Sequence, residues 1–380
     1  MERIHILAVV NGLRSRGHHV SILSPPGADP AVGTIPAETP NPVWAVVSSG
    51  MPQLVFELLE LVYNAVGGWR MWKHLRSQPV DVLYERYALF LFVGVAVCRF
   101  KGIPVVLEVN DSAFLTRVRP IYNRWLARWV ESWVFKKSDA LITVTEAFKR
   151  ILVSTGVDAS KVFVIHNAAK EEMFSPDISG KTVRQRYGLG DDTVVVGFVG
   201  KVVPWHGVDC LIQVAPKIVD EFKNVRFLIV GDTDGERSIL ELARVLDVQK
   251  TVCFTGQVSH EDVPSYLGAM DIAVMPNSNE FGSPVKIFEY MAMGRAIIAP
   301  RRGPVEEVLT HGETALIIEP SKPDDLAEAL RVLIGNHELR RRLGAAARNV
   351  FLTYYTCERN NDRTIAVLQK VIQTRNAIAR

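Results

Sequence analysis

Short apolar runs alternate with longer amphipathic stretches along most of the chain. Such runs, rich in β-branched side chains and bounded by polar or turn residues, are typical of strands. The stretches between them have the spacing of amphipathic helices. In the first half of the chain the runs that predict strands are HHVSILSP (18–25), DVLYERY (81–87), PVVLEVN (104–110), ALITVT (140–145) and KVFVIHN (161–167).

A second series of the same kind follows after a polar break. Helical patterns occur within it, for instance at 206–222 and 324–336. Apolar strands that alternate with amphipathic helices predict parallel sheets covered on both faces, so the predicted fold class is α/β. The strands predicted in this series are TVVVGFVG (193–200), VRFLIVGD (225–232), VCFTG (252–256), DIAVMPN (271–277), AIIAP (296–300) and ALIIEP (315–320).

The polar stretch FSPDISGKTVRQRYGLGDD (174–192) separates the two series. It is rich in turn residues, so we predict two doubly wound domains, 1–182 and 183–380, with the last helix packing back on the first domain. In doubly wound sheets, ligands bind beyond the carboxyl ends of the strands. Two such domains facing each other would form an interdomain cleft, where we expect the site.

Composition narrows the classes of function. The 380 residues carry a formal net charge of +3 from 44 basic and 41 acidic side chains, a balance that does not favour nucleic acid as a partner. The four cysteines lack zinc spacing, and we interpret them as reduced thiols in a cytoplasmic protein. No apolar run reaches the roughly 18 residues that span a bilayer. We also recognise no signal peptide.

The stretch NEFGSPVKIFEYMAMGRAIIAP (279–300) combines a core-like pattern with two charges, Lys286 and Glu289. Burying a charge costs several kcal/mol unless the charge is paired or binds a ligand. We predict a helix that begins at Pro284 with Ser283 as its N-cap. This helix would begin at the carboxyl end of a strand, where open backbone amides attract phosphate.

The charges at this helix start suggest a type of ligand. The amides of Gly282, Ser283 and Val285 would lie at the open end, and Lys286 and Glu289 are three apart and share one helix face. A cation near a phosphate, with a carboxylate further on, predicts a phosphorylated ligand that carries a ribose or a sugar diol. A plain intrahelical ion pair at a solvent edge would give the same pattern, and periodicity does not separate the two interpretations.

The segment FGSPVKIFEYMAMGRAIIAP resembles the nucleotide-sugar site of family 4 glycosyltransferases. The resemblance implies the GT-B fold, which has two Rossmann-like domains and an interdomain cleft. It implies that Glu289 holds the nucleotide ribose and that Glu280 contacts the donor sugar near the reacting carbon. These two residues are separated by eight residues, where the family has seven. Further implied donor contacts are Phe281, Gly282, Ser283 and Pro284.

A second motif, VVVGFVGKVVPWHGVDCLI, resembles the family's strand, glycine and basic residue, followed by a loop and a helix. The resemblance implies that Gly200 and Lys201 hold the donor diphosphate. His206 stands where the family usually has lysine, and histidine is fully charged only when it is protonated. We therefore expect stabilisation of the leaving group to depend on Lys201, Lys286 and the helix terminus. His206 could instead be a helix cap or a packing residue.

Residues 227–276 and 306–330 resemble two further segments of the family, so the match covers nearly all of 140–357. By this resemblance Asp232 and Val258 border the base and the ribose.

The beginning of the chain departs from the family pattern, which opens with a strand and a glycine pair before a helix. MERIHILAVVNGLRSRG matches that helix, so the first strand and glycine loop are expected to be missing from this sequence. In the rival interpretation RIHILAVV is itself the first strand. We favour the helix because Ile6, Val9, Val10 and Leu13 follow helical spacing. A shortened sheet would leave unpaired edges and would put activity in doubt.

Asn110 and Asp111 follow a predicted strand of the first domain, at a place where the family often has a histidine that contacts the donor sugar. They can hydrogen-bond a hydroxyl but supply no imidazole. Arg86 ends another predicted strand and could face the acceptor. An ion pair with Glu85 or Glu108 is the equally favoured alternative for Arg86.

Two segments raise the question of membrane contact. Trp125, Trp129 and Trp133 are four apart, with arginines around them. This pattern fits either a membrane-surface helix or a core stripe, and spacing favours the core stripe. Residues 53–76 form a second amphipathic candidate with a basic end that carries tryptophan. The expected location is the cytoplasm, with peripheral contact at the inner membrane face.

The implied reaction is transfer of a sugar, with retention of configuration, from a UDP- or GDP-sugar to a carbohydrate or lipid-linked acceptor. No cofactor and no metal are expected. The residues expected to act in catalysis are Glu280, Lys201, Lys286 and Asn110. The alternatives are a nucleotide-sugar 2-epimerase and a donor-binding protein without turnover.

Overall fold

The chain divides into two α/β units, each of which has its own parallel sheet. Unit 1 comprises Met1–Ile165 and Asn361–Arg380, and unit 2 comprises His166–Asn360. The computed structural model describes residues 2–24, 53–115, 121–233 and 237–379.

The division between the units differs from the predicted boundary at 182–183, which lies inside unit 2. The physical reason is that Phe174 and Val183 are buried in the core of unit 2, so the polar stretch around them is not a linker. The last helix ends in unit 1, as expected. Its Val367 and Val371 lie in one apolar cluster with Val106 and Ile142.

Unit 1 contains a four-stranded parallel sheet in the order β1-β2-β3-β4. β2 consists of five buried residues, VVLEV, as expected for a strand covered on both faces. The elements in chain order are α1 (Glu2–Ser15), α2 (Gln53–Ser77), β1 (Leu83–Arg86), α3 (Val93–Lys101), β2 (Val105–Val109), α4 (Arg124–Lys137), β3 (Ala140–Thr143), α5 (Glu146–Ser154) and β4 (Val162–Val164).

The predicted N-terminal helix is confirmed as α1, whose Val9 and Val10 are buried. The strand predicted at 18–25 is wrong for the part that the structure describes, since residues 18–24 form no regular element. A cavity of about 1010 Å³ is lined by these residues together with β1. In the described part of the chain β1 pairs only with β2, so residues 18–24 form no ladder with it.

The core-stripe interpretation is wrong for Trp125 and Trp129 of α4, which are 75% and 58% exposed. The buried side of this helix is formed instead by Ala127, Val130 and Val134, which also follow helical spacing. The tryptophans lie on the opposite side, in solvent.

Unit 2 contains a six-stranded parallel sheet in the order β10-β9-β8-β5-β6-β7. The strands β5–β10 are Val194–Val199, Val225–Val230, Val252–Phe254, Ile272–Val274, Ala296–Pro300 and Leu316–Ile318. The helices α6–α14 are Lys181–Arg186, Val208–Glu221, Arg237–Val245, Val263–Ala269, Val285–Ala292, Gly303–Glu306, Pro323–Gly335, His337–Tyr354 and Cys357–Ala379.

Strand order places a switch point between β5 and β8. From β5 the chain continues to β6 and β7 on one side, and then returns to build β8, β9 and β10 on the other. Along β5, Val195 and Val199 belong to one core cluster whereas Val196 and Phe198 belong to another, so both faces are covered. Open α/β sheets bind ligands in the crevice beyond the carboxyl ends of the strands at such a point.

Candidate functional site

The carboxyl end of β5 brings Gly200 against Lys286. Gly200 has a φ of +135°, and a Cβ added to it would lie 2.7 Å from Nζ of Lys286. Most L-residues avoid this backbone region, so both the conformation and the close approach require glycine. The lysine amine therefore lies at the switch point of the sheet.

Lys286 is in the first turn of α10, and its side chain is largely enclosed. Nζ lies 4.2 Å from the ring centroid of Phe198 and 3.4 Å from Nε2 of His206. Burial lowers the pKa of Lys286 to about 7. Burial thus disfavours the charged form of the amine, and a neighbouring anion would favour that form.

His206 faces Lys286 as a neutral ring. Its Nδ1 lies 2.7 Å from the carbonyl oxygen of Lys201, which can only accept, so Nδ1 carries the proton. Nε2 then offers its lone pair to the Lys286 ammonium. Burial, followed by the charge of Lys286, lowers the pKa of His206 to about 4. The residue therefore holds Lys286 in place and is not a second cation.

Glu289 is buried on the same helix, with 5% of its surface exposed. Burial raises the pKa of Glu289 to about 7, although the charge of Lys286 opposes this shift. The interpretation of Lys286 and Glu289 as an ion pair at a solvent edge is wrong, because Glu289 is buried and the amine of Lys286 lies against Phe198 and His206.

The start of α10 differs from the prediction by one residue. The helix begins at Val285, and Pro284 occupies the N-cap position with an extended ψ of 109°. Ser283 is therefore not the cap. Its hydroxyl accepts a hydrogen bond from the amide of Asn167 at 3.1 Å, and its carbonyl accepts one from Asn167 Nδ2 at 2.6 Å.

The side chain of Asn279, which no sequence motif marked, caps the loop before α10. The amides of Gly282 and Phe281 donate to Asn279 Oδ1 at 2.5 and 3.2 Å. The predicted open end of the helix is thus partly closed by this side chain. Lys286 remains a cation beside the switch point.

Glu280 takes part in a polar chain that crosses three strand ends. Its carboxylate pairs with Arg302, which follows β9. Arg302 also donates to Asn277 Oδ1 from Nε at 3.2 Å and Nη2 at 3.0 Å. The amide of Asn277, after β8, donates to the carbonyl of His206 at 3.0 Å. The sequence motifs do not mark Asn277 and Arg302 as site residues. The signal that could identify both is a polar residue shortly after a buried strand.

Asp232 and Val258 lie beyond the ends of β6 and β7. The carbonyl of Asp232 accepts a hydrogen bond from the amide of Val202 at 3.1 Å. Val258 packs, half-buried, against the core of unit 2. In the order of the sheet, both follow the switch point on the side of β6.

The remaining predicted residues belong to unit 1, and two of them, Asn110 and Arg86, lie at the buried Glu108. Asn110 Nδ2 donates to Oε1 of Glu108 at 2.5 Å, and the hydroxyl of Tyr84 donates to Oε2 at 2.6 Å. Nη1 of Arg86 lies 4.0 Å from Oε1 of the same carboxylate, one of the two partners that the ion-pair alternative named. Asp111 accepts a hydrogen bond from the amide of its neighbour Ser112 at 2.8 Å.

Sequence models of known families match both halves of the chain. A model described as Glycosyl transferases group 1 matches residues 180–350. A model described as Glycosyltransferase Family 4 matches residues 3–172. The first match contains the β5 and β8 loops and α10, so it covers the cluster around Lys286.

Individual proteins are similar over most of the chain. An alpha-D-kanosaminyltransferase of Streptomyces kanamyceticus is 24% identical over 333 residues, which cover 82% of this chain and 86% of that protein. A glycosyltransferase structure from Rickettsia africae has a TM-score of 0.70 at 17% identity. The match covers 85% of this chain and 83% of the Rickettsia chain. The structure of Anabaena HepE, solved with UDP and glucose, has a TM-score of 0.63 at 19% identity. The match covers 73% of this chain and 75% of HepE.

Proposed function

The chain belongs to glycosyltransferase family 4 and has the GT-B fold, and from this premise we propose that it is a retaining enzyme that uses a UDP- or GDP-sugar. The observation that carries the proposal is the enclosed ammonium of Lys286, which lies against Gly200 at the switch point of unit 2. An anion bound there would have Lys286 as its charge partner and could approach the backbone closely at Gly200, which has no side chain. The diphosphate of a nucleotide sugar is such an anion.

The donor is proposed to lie along the carboxyl edge of the unit 2 sheet. Lys201, which is exposed just after β5, and Lys286 hold the diphosphate from two sides. Glu289 accepts the hydrogen bonds of the ribose, and Asp232 and Val258 border the nucleoside. The UDP and glucose found in Anabaena HepE support a uridine nucleotide as the first donor to test.

Transfer breaks the bond between the anomeric carbon and the diphosphate. Negative charge grows on the leaving phosphate while the sugar becomes oxocarbenium-like. Preorganised cations stabilise that charge as it develops. Since Lys201 and Lys286 supply two amines at the phosphate, we propose that no metal is required. Glu280, held by Arg302, aligns the donor sugar.

Unit 1 is proposed to supply the acceptor side. Asn110 and Arg86, which lie at Glu108, and Asp111, which follows Asn110, are near the carboxyl ends of β1 and β2. These groups can hydrogen-bond sugar hydroxyls, and the acceptor is proposed to be a carbohydrate or a lipid-linked sugar. The leaving phosphate can itself accept the proton of the acceptor, so no protein base is assigned.

The test begins with a thermal-shift panel of UDP, GDP and ADP. A ligand at one hundred times its Kd stabilises the folded state by about 2.7 kcal/mol. We expect UDP or GDP to raise Tm for the parent chain, and we expect Lys286→Ala and Lys201→Ala to lose that increase. Lys217→Ala, a change at an exposed lysine on α7, is the control that should keep the increase. A full shift in Lys286→Ala would contradict the proposed site.

Turnover is then followed as release of free nucleotide from several nucleotide sugars, with and without oligosaccharide or lipid-linked acceptors. Acceptor-dependent release with an α-linked product from an α-linked donor supports retaining transfer. Conversion of the donor to an epimer without nucleotide loss would indicate the epimerase alternative. A ligand shift without any turnover would indicate a binding protein.

A further inference from the structure

Helix α2 exposes an apolar stripe to solvent. Val62 is 62% exposed and Trp69 is 66% exposed, in a helix whose neighbours cover only its other side. Every described residue between 54 and 69 that is exposed is apolar. An exposed apolar patch of this extent on a folded protein marks an interaction surface. Its large members are Leu54, Val55, Leu58, Leu59, Val62, Val66 and Trp69.

The stripe ends in cations that lie over tryptophan rings. The amine of Lys73 is 5.6 Å from the centroid of the Trp69 ring, and the guanidinium of Arg76 is 5.4 Å from that of Trp72. Lys101 of α3 adds a third cation, 4.6 Å from the Trp72 ring. Tryptophan with flanking lysine and arginine is the composition found at the boundary between water and lipid headgroups.

The exposed aromatic residues of α4 adjoin the first turns of α2. The buried Glu57 of α2 accepts hydrogen bonds from the amides of Tyr122 at 2.6 Å and Asn123 at 3.1 Å. Tyr122 and Trp125 thus emerge beside the stripe, and both are exposed. The two segments that raised the question of membrane contact are therefore neighbours in the fold.

We propose that this surface, formed by the exposed face of α2 and the start of α4, docks on an anionic phospholipid bilayer. The helix lies in the plane of the headgroups, with its apolar side chains in the acyl boundary and its cations on lipid phosphates. In the described part of the chain, no helix is long and apolar enough to cross the bilayer. This inference concerns unit 1 and does not depend on the donor proposed for unit 2.

Charge favours lipid over a second copy of the chain. Lys73, Arg76 and Lys101 need anions opposite them, whereas the exposed side chains of α2 from 54 to 69 are apolar and its Glu60 is only partly exposed. Glu57 on the same helix already binds two backbone amides. A self-paired surface would therefore leave the cations without partners, whereas phosphatidylglycerol supplies a phosphate for each of them.

The experiment is co-sedimentation of the full chain with vesicles of phosphatidylglycerol mixed with phosphatidylcholine, and of phosphatidylcholine alone. We expect binding to the anionic vesicles, which weakens as salt is raised. The variant Leu58→Gln/Val62→Gln should bind at least about tenfold more weakly, since two exposed apolar side chains no longer enter the lipid. Leu240→Gln/Val245→Gln, at exposed positions of α8, is the matched control and should bind like the parent.

A second variant, Lys73→Gln/Arg76→Gln, should bind about tenfold more weakly and should lose most of the salt dependence. Unfolding curves confirm that the variants remain folded. Three results would overturn the proposal. They are no binding to anionic vesicles, parent-like binding by Leu58→Gln/Val62→Gln, or a concentration-dependent dimer of the parent chain that only Leu58→Gln/Val62→Gln abolishes. The last result would assign the surface to a second copy of the chain.

Discussion

The ammonium nitrogen of Lys286 lies 3.4 Å from Nε2 of His206. The imidazole is oriented by its other nitrogen, which donates to the carbonyl of Lys201. A lysine at position 206 would add a second cation. His206 is instead neutral, and it accepts a hydrogen bond from Lys286 of α10. The pair therefore positions one charge at the end of β5, and a bound diphosphate would take over the partner role of the histidine.

Replacing His206 tests this positioning role. In His206→Ala the amine of Lys286 loses its acceptor, and we expect kcat/KM for nucleotide release to fall about tenfold, which corresponds to about 1.4 kcal/mol. His206→Gln retains an amide oxygen that can accept and should recover part of the loss. If Ala and Gln lower kcat/KM equally, the hydrogen bond to Lys286 has no role, and packing against Phe198 would explain the effect.

Donor binding should weaken as pH rises. The pKa of Lys286 in the free protein is about 7, so above that pH the amine must take up a proton when the diphosphate binds. We expect the Kd of UDP to increase between pH 7 and pH 9, by up to about tenfold per unit. Titration of UDP at several pH values measures this directly.

The control for that pH dependence is Lys286→Arg, because arginine stays charged throughout the range. Its UDP affinity should be nearly independent of pH between 7 and 9. Should the parent chain also show a flat profile in this range, Lys286 would not be the group that meets the diphosphate.

Burial of Glu289 and Lys286 on α10 should make the free energy of unfolding depend on pH in two opposite ways. The pKa of Glu289 is raised to about 7, so its contribution to the free energy of unfolding is present at low pH and is lost as pH rises towards 7. The pKa of Lys286 is lowered to about 7, so the unfolded state binds more protons above 7 and stability rises again with pH. Denaturant unfolding of the ligand-free parent should show a shallow minimum near pH 7.

Glu289→Gln should remove the decrease between pH 5 and pH 7, and Lys286→Met should remove the increase above pH 7. Each change is expected to be about 1 to 3 kcal/mol. A minimum that persists in both variants would assign it to other titrating groups.

Much of the fold follows from the pattern of side chains, because buried parallel strands leave continuous apolar runs. VVLEV and AIIAP are strands where expected. The segment at 18–24 fails because a strand needs a neighbouring ladder as well as an apolar run, and in the described residues β1 pairs only with β2. The boundary fails because Phe174 and Val183 pack in the core of unit 2, a contact that local polarity does not reveal.

At the site, the pattern predicted which residues carry charge but not how they pair. The family resemblance assigned Gly200, Lys286 and His206 to the donor site, and the structure brings Lys286 against both of the others. The partners of Glu280 and Ser283, which are Arg302 and Asn167, lie far away along the chain. Such pairings arise only after the strands are ordered in the sheet.

Arg302 is predicted to matter for activity more than for stability. In Arg302→Ala, Glu280 and Asn277 lose a shared donor, and we expect kcat/KM to fall about tenfold because the donor-sugar side of the site is misplaced. Stability should change by less than about 1 kcal/mol, since Glu280 is largely exposed. Arg301→Ala is the matched control.

Arg301 is the next residue along, and its guanidinium pairs with the exposed Glu306 and Glu319. Its replacement should leave nucleotide release close to that of the parent. Equal losses in the two variants would mean that the loop after β9 responds to general disturbance and that the link to Glu280 has no special role.

Gly200→Ala tests the central contact of the site. The φ of +135° is unfavourable for alanine, and the new Cβ would lie 2.7 Å from Nζ of Lys286 unless the lysine moves. We expect a loss of about 1 to 3 kcal/mol in the free energy of unfolding from backbone strain. UDP affinity should fall at least about tenfold, because the amine is displaced from the diphosphate position.

Gly188→Ala separates the effect of strain from the effect on the site. The φ of Gly188 is +63° and no atom lies within 4 Å of the added Cβ, so this change introduces strain without touching the site. That variant should lose stability but bind UDP like the parent. Parent-like UDP affinity in Gly200→Ala, measured by calorimetry on folded protein, would place the diphosphate elsewhere.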